Sequence, residues 1–210
     1  LIFKTLISPL PLFNYMKNKK QGWIIVIAGP HGVGETTISK ALVKILPRTE
    51  RLVTTTSRPR RTGEKNGREY NFISKKDFEN KIKKGYFLEY TYYQNRDAYY
   101  GTIKKEIEKK INRGINLIAN LDIIGTKAMI KNFDRVITIF IRPDKFSNLS
   151  QRLKKRQPDI DPTELKKRLD SAKKEIKTEM KYYQHIVVNP EGQLDKTTTK
   201  VTQLIKKTIA

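Results

Sequence analysis

The stretch GPHGVGETT, Gly29 to Thr37, has the residue types and spacing of a phosphate-binding loop. Glycines at 29, 32 and 34 allow a tight turn. The backbone N–H groups of Gly32, Val33, Gly34, Glu35, Thr36 and Thr37 would then wrap anionic oxygens at a helix N-terminus. Thr36 stands where a Ser or Thr hydroxyl meets Mg2+ in the pattern G-x-x-x-x-G-K-[ST], but Glu35 occupies the lysine position. A lysine there reaches the phosphates as a point charge. Lysine to glutamate inverts that charge, a change of two elementary charges. At about 4 Å and an effective dielectric near 20 each charge is worth about 4 kcal/mol, so the unrelaxed swing approaches ~8 kcal/mol. Half of it, expressed in a transition state, slows a reaction roughly a thousandfold.

A loop of this kind works only between a strand and a helix, and the flanking residues predict both. Trp23–Ala28, WIIVIA, is a continuous apolar run that fits a strand covered on both faces. In TTISKALVKIL the residues Ile38, Ala41, Leu42, Ile45 and Leu46 fall on one helical stripe. RLVTTT reads as a second strand. Asn66–Gly67, followed by REYNFI, predicts a hairpin of small antiparallel strands. KKDFENKIKK reads as a helix closed by Gly85, and YFLEYTYY as an aromatic strand. Ile103, Ile107 and Ile111 mark a helix ended by Gly114. INLIANLD and RVITIFI are further strands, with a short helix between them. Asp161, Pro162 and Glu164 are N-cap, first-turn proline and capping acid of a helix with Leu165, Leu169, Ala172, Ile176 and Met180 on its stripe. HIVVN is a last strand before a C-terminal helix. Strands alternating with helices at both ends, around a β-rich insertion at 57–101, predict an α/β fold.

Composition bounds the function. The chain has 210 residues, enough for one sizeable domain, and no cysteine, which excludes disulfide and thiolate-metal chemistry. The net charge of +23 raises nucleic-acid binding as a reading. The basic residues instead lie in KK and KxxK pairs along most of the chain, as on solvated helix faces. We therefore expect no specific nucleic-acid partner. Residues 1–21 carry a short apolar run interrupted by Lys4, Pro9 and Pro11, too short for a membrane span. Met16 resembles a natural start, so residues 1–21 are expected to be an extension outside a compact domain at 22–210. The expectation is a cytoplasmic protein without a membrane partner, either monomer or homodimer.

GPHGVGETT, then TTTSRPRRTGEKNGREYNFIS, FLEY, YYGT, LD and VVN, together resemble the guanylate kinase family over about residues 22–208. The string TxxxRPxRxGExNGxxYxF carries most of the resemblance, because a phosphate loop alone identifies only a broad superfamily. The resemblance implies a P-loop NTPase-like parallel sheet flanked by helices, with a small mixed-β GMP-binding insertion and a helical lid at about 144–168. It implies transfer of the γ-phosphoryl of ATP to GMP, with Mg2+ at Thr36. On this resemblance Arg58, Arg61, Tyr70 and Tyr100 hold the GMP phosphate, a role suited to planar guanidinium forks and phenolic donors. Glu89 reads guanine by accepting from its N1–H and exocyclic amine, and Thr54 and Thr102 add hydroxyls. An adenine base would leave such groups unpaired. Asp122 is placed near GMP or the magnesium water shell, although Asn120 stands where the family usually has a second aspartate. Arg152, Arg156 and Arg168 match the lid arginines that close on the transferring phosphoryl. Asn189 matches a residue near the ATP adenine, and His31 stands where the family usually has a small residue.

Glu35 leaves two readings of the resemblance open. One is a guanylate kinase, slowed by the inverted charge, using GMP or dGMP. The other is a catalytically inactive GMP-binding or protein-interaction module built on the same fold. An inactive scaffold is expected to have shed acceptor residues too, yet Arg58, Arg61, Tyr70 and Glu89 all remain. Lys40, one turn along the helix, or a lid arginine is the expected source of compensating charge.

Overall fold

The protein is described by a computed structural model covering residues 21–94 and 97–209. The extension expected at residues 1–21 lies outside the described residues, except for Gln21. Its side-chain amide donates to Asn112 Oδ1 at 2.8 Å.

The apolar run becomes β1 (Ile24–Ala28), fully buried along its length. Its alternate residues serve two cores. Ile25 and Ile27 pack with Ile38, Leu42, Val201 and Ile205 on one face of the sheet. Ile24 and Val26 pack with Ile107, Ile111, Leu117 and Met129 on the other. This is why the run shows no polar alternation: a strand buried on both faces has no solvent side. The helix after the loop is α1 (Glu35–Ile45). Ile38 and Leu42 face the sheet, while Ile45 remains 48% exposed and stands outside the core.

The expected second strand over RLVTTT divides in two. Thr49–Arg51 is β2, an edge strand of the main sheet, and Thr55–Thr56 is β3, in a separate smaller sheet. The chain continues through β4 (Asn71–Phe72), α2 (Lys75–Lys83), β5 (Phe87–Tyr93), β6 (Ala98–Ile103), α3 (Lys104–Ile111), β7 (Asn116–Ala119), α4 (Ile123–Asn132) and β8 (Val136–Pro143). The helical lid follows as α5 (Phe146–Arg156) and α6 (Pro162–Lys174), then β9 (His185–Asn189) and α7 (Leu194–Ile209) close the fold. The main sheet has the order β2-β7-β1-β8-β9, and every pairing in it is parallel.

The small sheet has the order β4-β3-β6-β5. Here the expected hairpin at Asn66–Gly67 is corrected. The strand after it, β4, pairs with the preceding strand β3, but parallel rather than antiparallel across a hairpin turn. Asn66 is used differently, since its side-chain oxygen accepts from Phe72 N–H at 2.8 Å and locks the loop over β4. The antiparallel hairpin is β5–β6 instead.

The lid helices pack through Leu149, Leu153, Ala172, Leu165 and Leu169. Asp161 caps α6 by accepting from the N–H groups of Thr163 and Glu164, as its sequence predicts. A π-helical turn, Glu175–Glu179, then inserts into the stripe. Ile176 within this turn and Met180 just after it pack against Ala28, Phe140 and Tyr183 near the end of β1 rather than in the lid cluster. One sequence stripe therefore ties the lid to the central sheet.

Candidate active site

The phosphate-type loop leaves the carboxyl end of β1, where parallel α/β sheets hold ligands. Its left-handed positions are filled by glycine: Gly32 has φ +90° and Gly34 φ +100°. The N–H groups of Glu35 and Thr36 precede the first helical bonds, which Thr37 and Ile38 make to the Gly34 carbonyl, and such a helix N-terminus suits an anion. Asn189 braces this loop from behind. It is 2% exposed, donates from Nδ2 to the Val33 carbonyl at 2.8 Å, and accepts from the Thr197 hydroxyl at 2.9 Å. Its amide is thus engaged in holding the loop.

Beside the loop lies a cleft of about 660 Å³. From the loop, Gly29, His31, Glu35 and Thr36 contribute one part of its wall, and from the 54–100 segment, Thr54, Tyr70, Glu89 and Tyr100 contribute another. Asn120 and Asp122 line its floor at the end of β7, and Ser171, Lys174, Glu175 and Glu179 come from the lid. The structure therefore joins, in one cavity, residues that are far apart in sequence.

The acceptor wall is internally braced. The Thr102 hydroxyl, buried at 1% exposure, donates to Glu89 Oε1 at 2.7 Å. Burial pushes the Glu89 carboxyl up, the Thr102 hydrogen bond opposes this, and the Asp122 charge adds to the rise. Thr102 thus acts on the carboxylate rather than lining the cleft itself. Arg58 is held by a two-pronged pair with Glu64, at 3.0 and 2.8 Å, and its Nε donates to the Tyr100 hydroxyl at 3.2 Å. Glu64 also accepts from Arg61 N–H at 2.8 Å, so one carboxylate organises the whole turn. This glutamate stands in the GExNG string, but nothing in the string by itself gives it a role. The Arg61 side chain is exposed, and neither arginine lines the cleft itself.

At the floor, Asp122 caps α4 by accepting from Gly125 N–H at 2.9 Å, and its other oxygen accepts from the Tyr93 hydroxyl at 3.2 Å. Asn120, in place of an aspartate, donates to the Ile27 carbonyl and to Ser39 Oγ, tying β1 to α1. A carboxylate there has no proton to give to that carbonyl, so the amide suits this geometry.

The lid arginines point elsewhere. Arg152 donates to Glu191 at 2.6 Å and to the Asn189 carbonyl at 3.1 Å. Arg168 pairs with Glu164 one turn away at 2.9 Å, and Arg156 ends α5 exposed. None of the three lines the cleft. Lys40 is exposed and also stands outside it.

Glu35 is part-buried in the loop wall. Its carboxyl is pushed up to about 8, first by burial and then by the Glu175 carboxylate of the lid. At neutral pH it carries a proton for most of the time. The penalty toward phosphate then becomes the loss of a positive charge rather than its inversion.

Thr36 supplies an exposed hydroxyl at the loop. Among the described residues no three His, Cys, Asp or Glu side chains gather as a metal cage. A hydroxyl plus substrate phosphates suits Mg2+, which keeps several waters and takes few protein ligands.

A strand, a glycine-rich loop on a helix N-terminus, a parallel sheet and a helical lid define the class of P-loop phosphoryl-transfer folds. The comparisons narrow this to one family. The profile described as Guanylate kinase matches residues 21–208. The guanylate kinase of Mycoplasma genitalium is 39% identical, covering 94% of this chain and 81% of its own. That of Rickettsia felis is 34% identical, covering 90% and 96%. The crystal structure of guanylate kinase from Anaplasma phagocytophilum has the same fold, with a TM-score of 0.69 at 22% identity over 91% of this chain and 88% of that one. The chain belongs to the guanylate kinase family. Among its described residues no helix is long and apolar enough to cross a membrane.

Proposed function

We propose that the protein transfers the γ-phosphoryl of ATP to GMP, giving ADP and GDP, with Glu35 held neutral beside the donor phosphates. The observation that carries the proposal is the braced acceptor wall, Thr102 on Glu89 and Glu64 on Arg58 with Tyr100, facing the phosphate loop across a single cleft.

In this reading Glu89 accepts from guanine N1–H and the exocyclic amine, with Thr54 beside it. Tyr70, Tyr100, Arg58 and Arg61 hold the acceptor phosphate. The N–H groups of Gly32, Gly34, Glu35 and Thr36 hold the donor phosphates, those of Val33 and Thr37 donating to the Pro30 and Gly34 carbonyls, and Asn189 keeps the loop in register. Mg2+ at Thr36 would neutralise phosphate charge. Phosphoryl transfer asks the protein mainly for alignment and charge, so an intact loop backbone retains much of the donor site without lysine. Arg152, Arg156 and Arg168 complete the site when the lid closes. Arg168 leaves only an exposed partner to do so, and such pairs hold weakly.

The test is GDP formation from ATP and GMP, measured by a coupled assay in the parent and in Glu35→Lys. The expected result is measurable turnover in the parent and a rise of roughly ten- to a thousandfold in kcat for the lysine variant. A silent parent with a fast Glu35→Lys variant refutes catalysis by this chain. Tight GMP binding with both proteins silent instead supports the non-catalytic module, the reading Glu35 favours. No GMP binding at all refutes the acceptor site.

A further inference from the structure

The cleft is short of positive charge for a site that takes two phosphorylated nucleotides. Among the described residues lining it, the carboxylates are Glu35, Glu89, Asp122, Glu175 and Glu179, whereas the Lys and Arg side chains are only Arg51 and Lys174. Lys174 is an exposed residue at the end of the lid helix α6. Arg51 is different. It is the last residue of β2, fixed by its register opposite Ile118 of β7 and by Leu52 N–H donating to the Ile118 carbonyl at 2.8 Å. It therefore sits at the carboxyl end of the sheet on rigid backbone, beside the strand ends that launch the loop and Asn120.

Its side chain is half-buried and makes no hydrogen bond or ion pair among the described residues. A guanidinium has five N–H donors, and leaving them unused in a partly closed site has a cost. Arg58, by contrast, is already paired with Glu64, Tyr100 and the Pro59 carbonyl, and must exchange part of that pairing to take a phosphate. Arg51 also reaches the acceptor wall. Its charge acts on the Tyr70 phenol, opposing the rise that burial gives it.

We propose that Arg51 is a phosphate-contacting residue of this site: from strand β2 it binds the acceptor phosphate beside Tyr70, on the side facing the phosphate loop. It brings into the reacting region the positive charge that position 35 lacks. A planar fork with free donors suits a phosphate, and a strand anchor keeps it there before the lid closes. The inference rests on the guanylate kinase reading of the same cleft.

The test is binding of GMP and of guanosine, which lacks the phosphate, to the parent, Arg51→Leu and Arg51→Lys, by calorimetry for GMP and NMR titration for guanosine. Arg51→Leu is expected to weaken GMP about 10- to 100-fold, the range for a charge-assisted hydrogen bond, and to leave guanosine within about twofold. Arg51→Lys, which keeps charge but loses the fork, should fall between the two. Equal GMP affinity in the parent and Arg51→Leu overturns the inference while leaving the acceptor site standing. A parallel loss of guanosine and GMP also overturns it, because the residue would then only hold the fold. A parent that binds neither ligand instead refutes the acceptor-site reading itself.

Discussion

Replacing Glu35 by glutamine tests the protonation of the loop carboxyl without any need for turnover. In the folded chain this group is pushed from the usual 4.5 to about 8 by burial and by Glu175. Between those values the unfolded chain has lost the proton and the folded chain has kept it. The native state then binds more protons, so stability falls as pH rises. It is undiminished by this group below the unfolded value, and is lost progressively until pH passes the folded value. A tenfold difference in proton affinity between the two states is worth about 1.4 kcal/mol, which sets a ceiling of about 5 kcal/mol. The carboxyl borders an open cleft where water and side-chain rotation relieve part of the cost, so we expect about 2 kcal/mol. Glutamine has nearly the same shape and never ionises. Urea unfolding of parent and Glu35→Gln should therefore agree within about 0.5 kcal/mol near pH 5 and separate steadily toward pH 9, with the variant more stable. Glu175, raised by burial in the same sense, is present in both proteins. Parallel stability curves, or a gap that opens toward acid pH, would show that Glu35 is ionised in the folded chain and refute the argument.

Thr102→Val removes the donor that opposes the upward push on Glu89, so the KM for GMP should rise, and the rise should shrink as pH increases and favours the carboxylate. A pH-independent KM change in kinetic titrations would contradict this. Asn189→Leu removes the donor to the Val33 carbonyl, while the Thr197 hydroxyl keeps the Gln193 carbonyl, for an expected loss of about 1–3 kcal/mol in urea unfolding and a higher KM for ATP. A variant as stable as the parent would show that the brace is dispensable. Gly34→Ala places a Cβ at φ +100° and within 3.0 Å of Leu194 and 3.1 Å of Asn189. The strain alone is about 1–2 kcal/mol, visible as a lowered Tm, and an unchanged Tm would contradict the fixed loop geometry.

The legible parts of the sequence are those written in local patterns. β1, α1, β8 and the capped start of α6 follow from a two-faced apolar run, a helical stripe and an N-cap, all within a few residues. The hairpin signal at Asn66–Gly67 misleads because it is local, whereas β4 is claimed as a parallel partner by β3, well upstream in the chain. RLVTTT reads as one strand because composition does not reveal that its two ends belong to different sheets. Among site residues, Arg51 gives no signal: an arginine at a strand end in so basic a chain looks like any solvated one.

Residue types in order determined that this chain has a phosphate loop with the wrong charge at position 35, an acceptor-type motif after it, and an α/β frame to carry both. Those are properties of short windows, fixed by steric and hydrogen-bonding rules acting between near neighbours. Only the tertiary structure decided how the wrong charge is borne. Folding brings Glu175 of the lid against Glu35 and withdraws both from water, which favours the protonated carboxyl. It also turns Arg152 toward Glu191 and Arg168 toward Glu164 and leaves Arg51 lining the cleft. Charge and desolvation act through space, and the distances that set them are made by packing elements well separated in the chain.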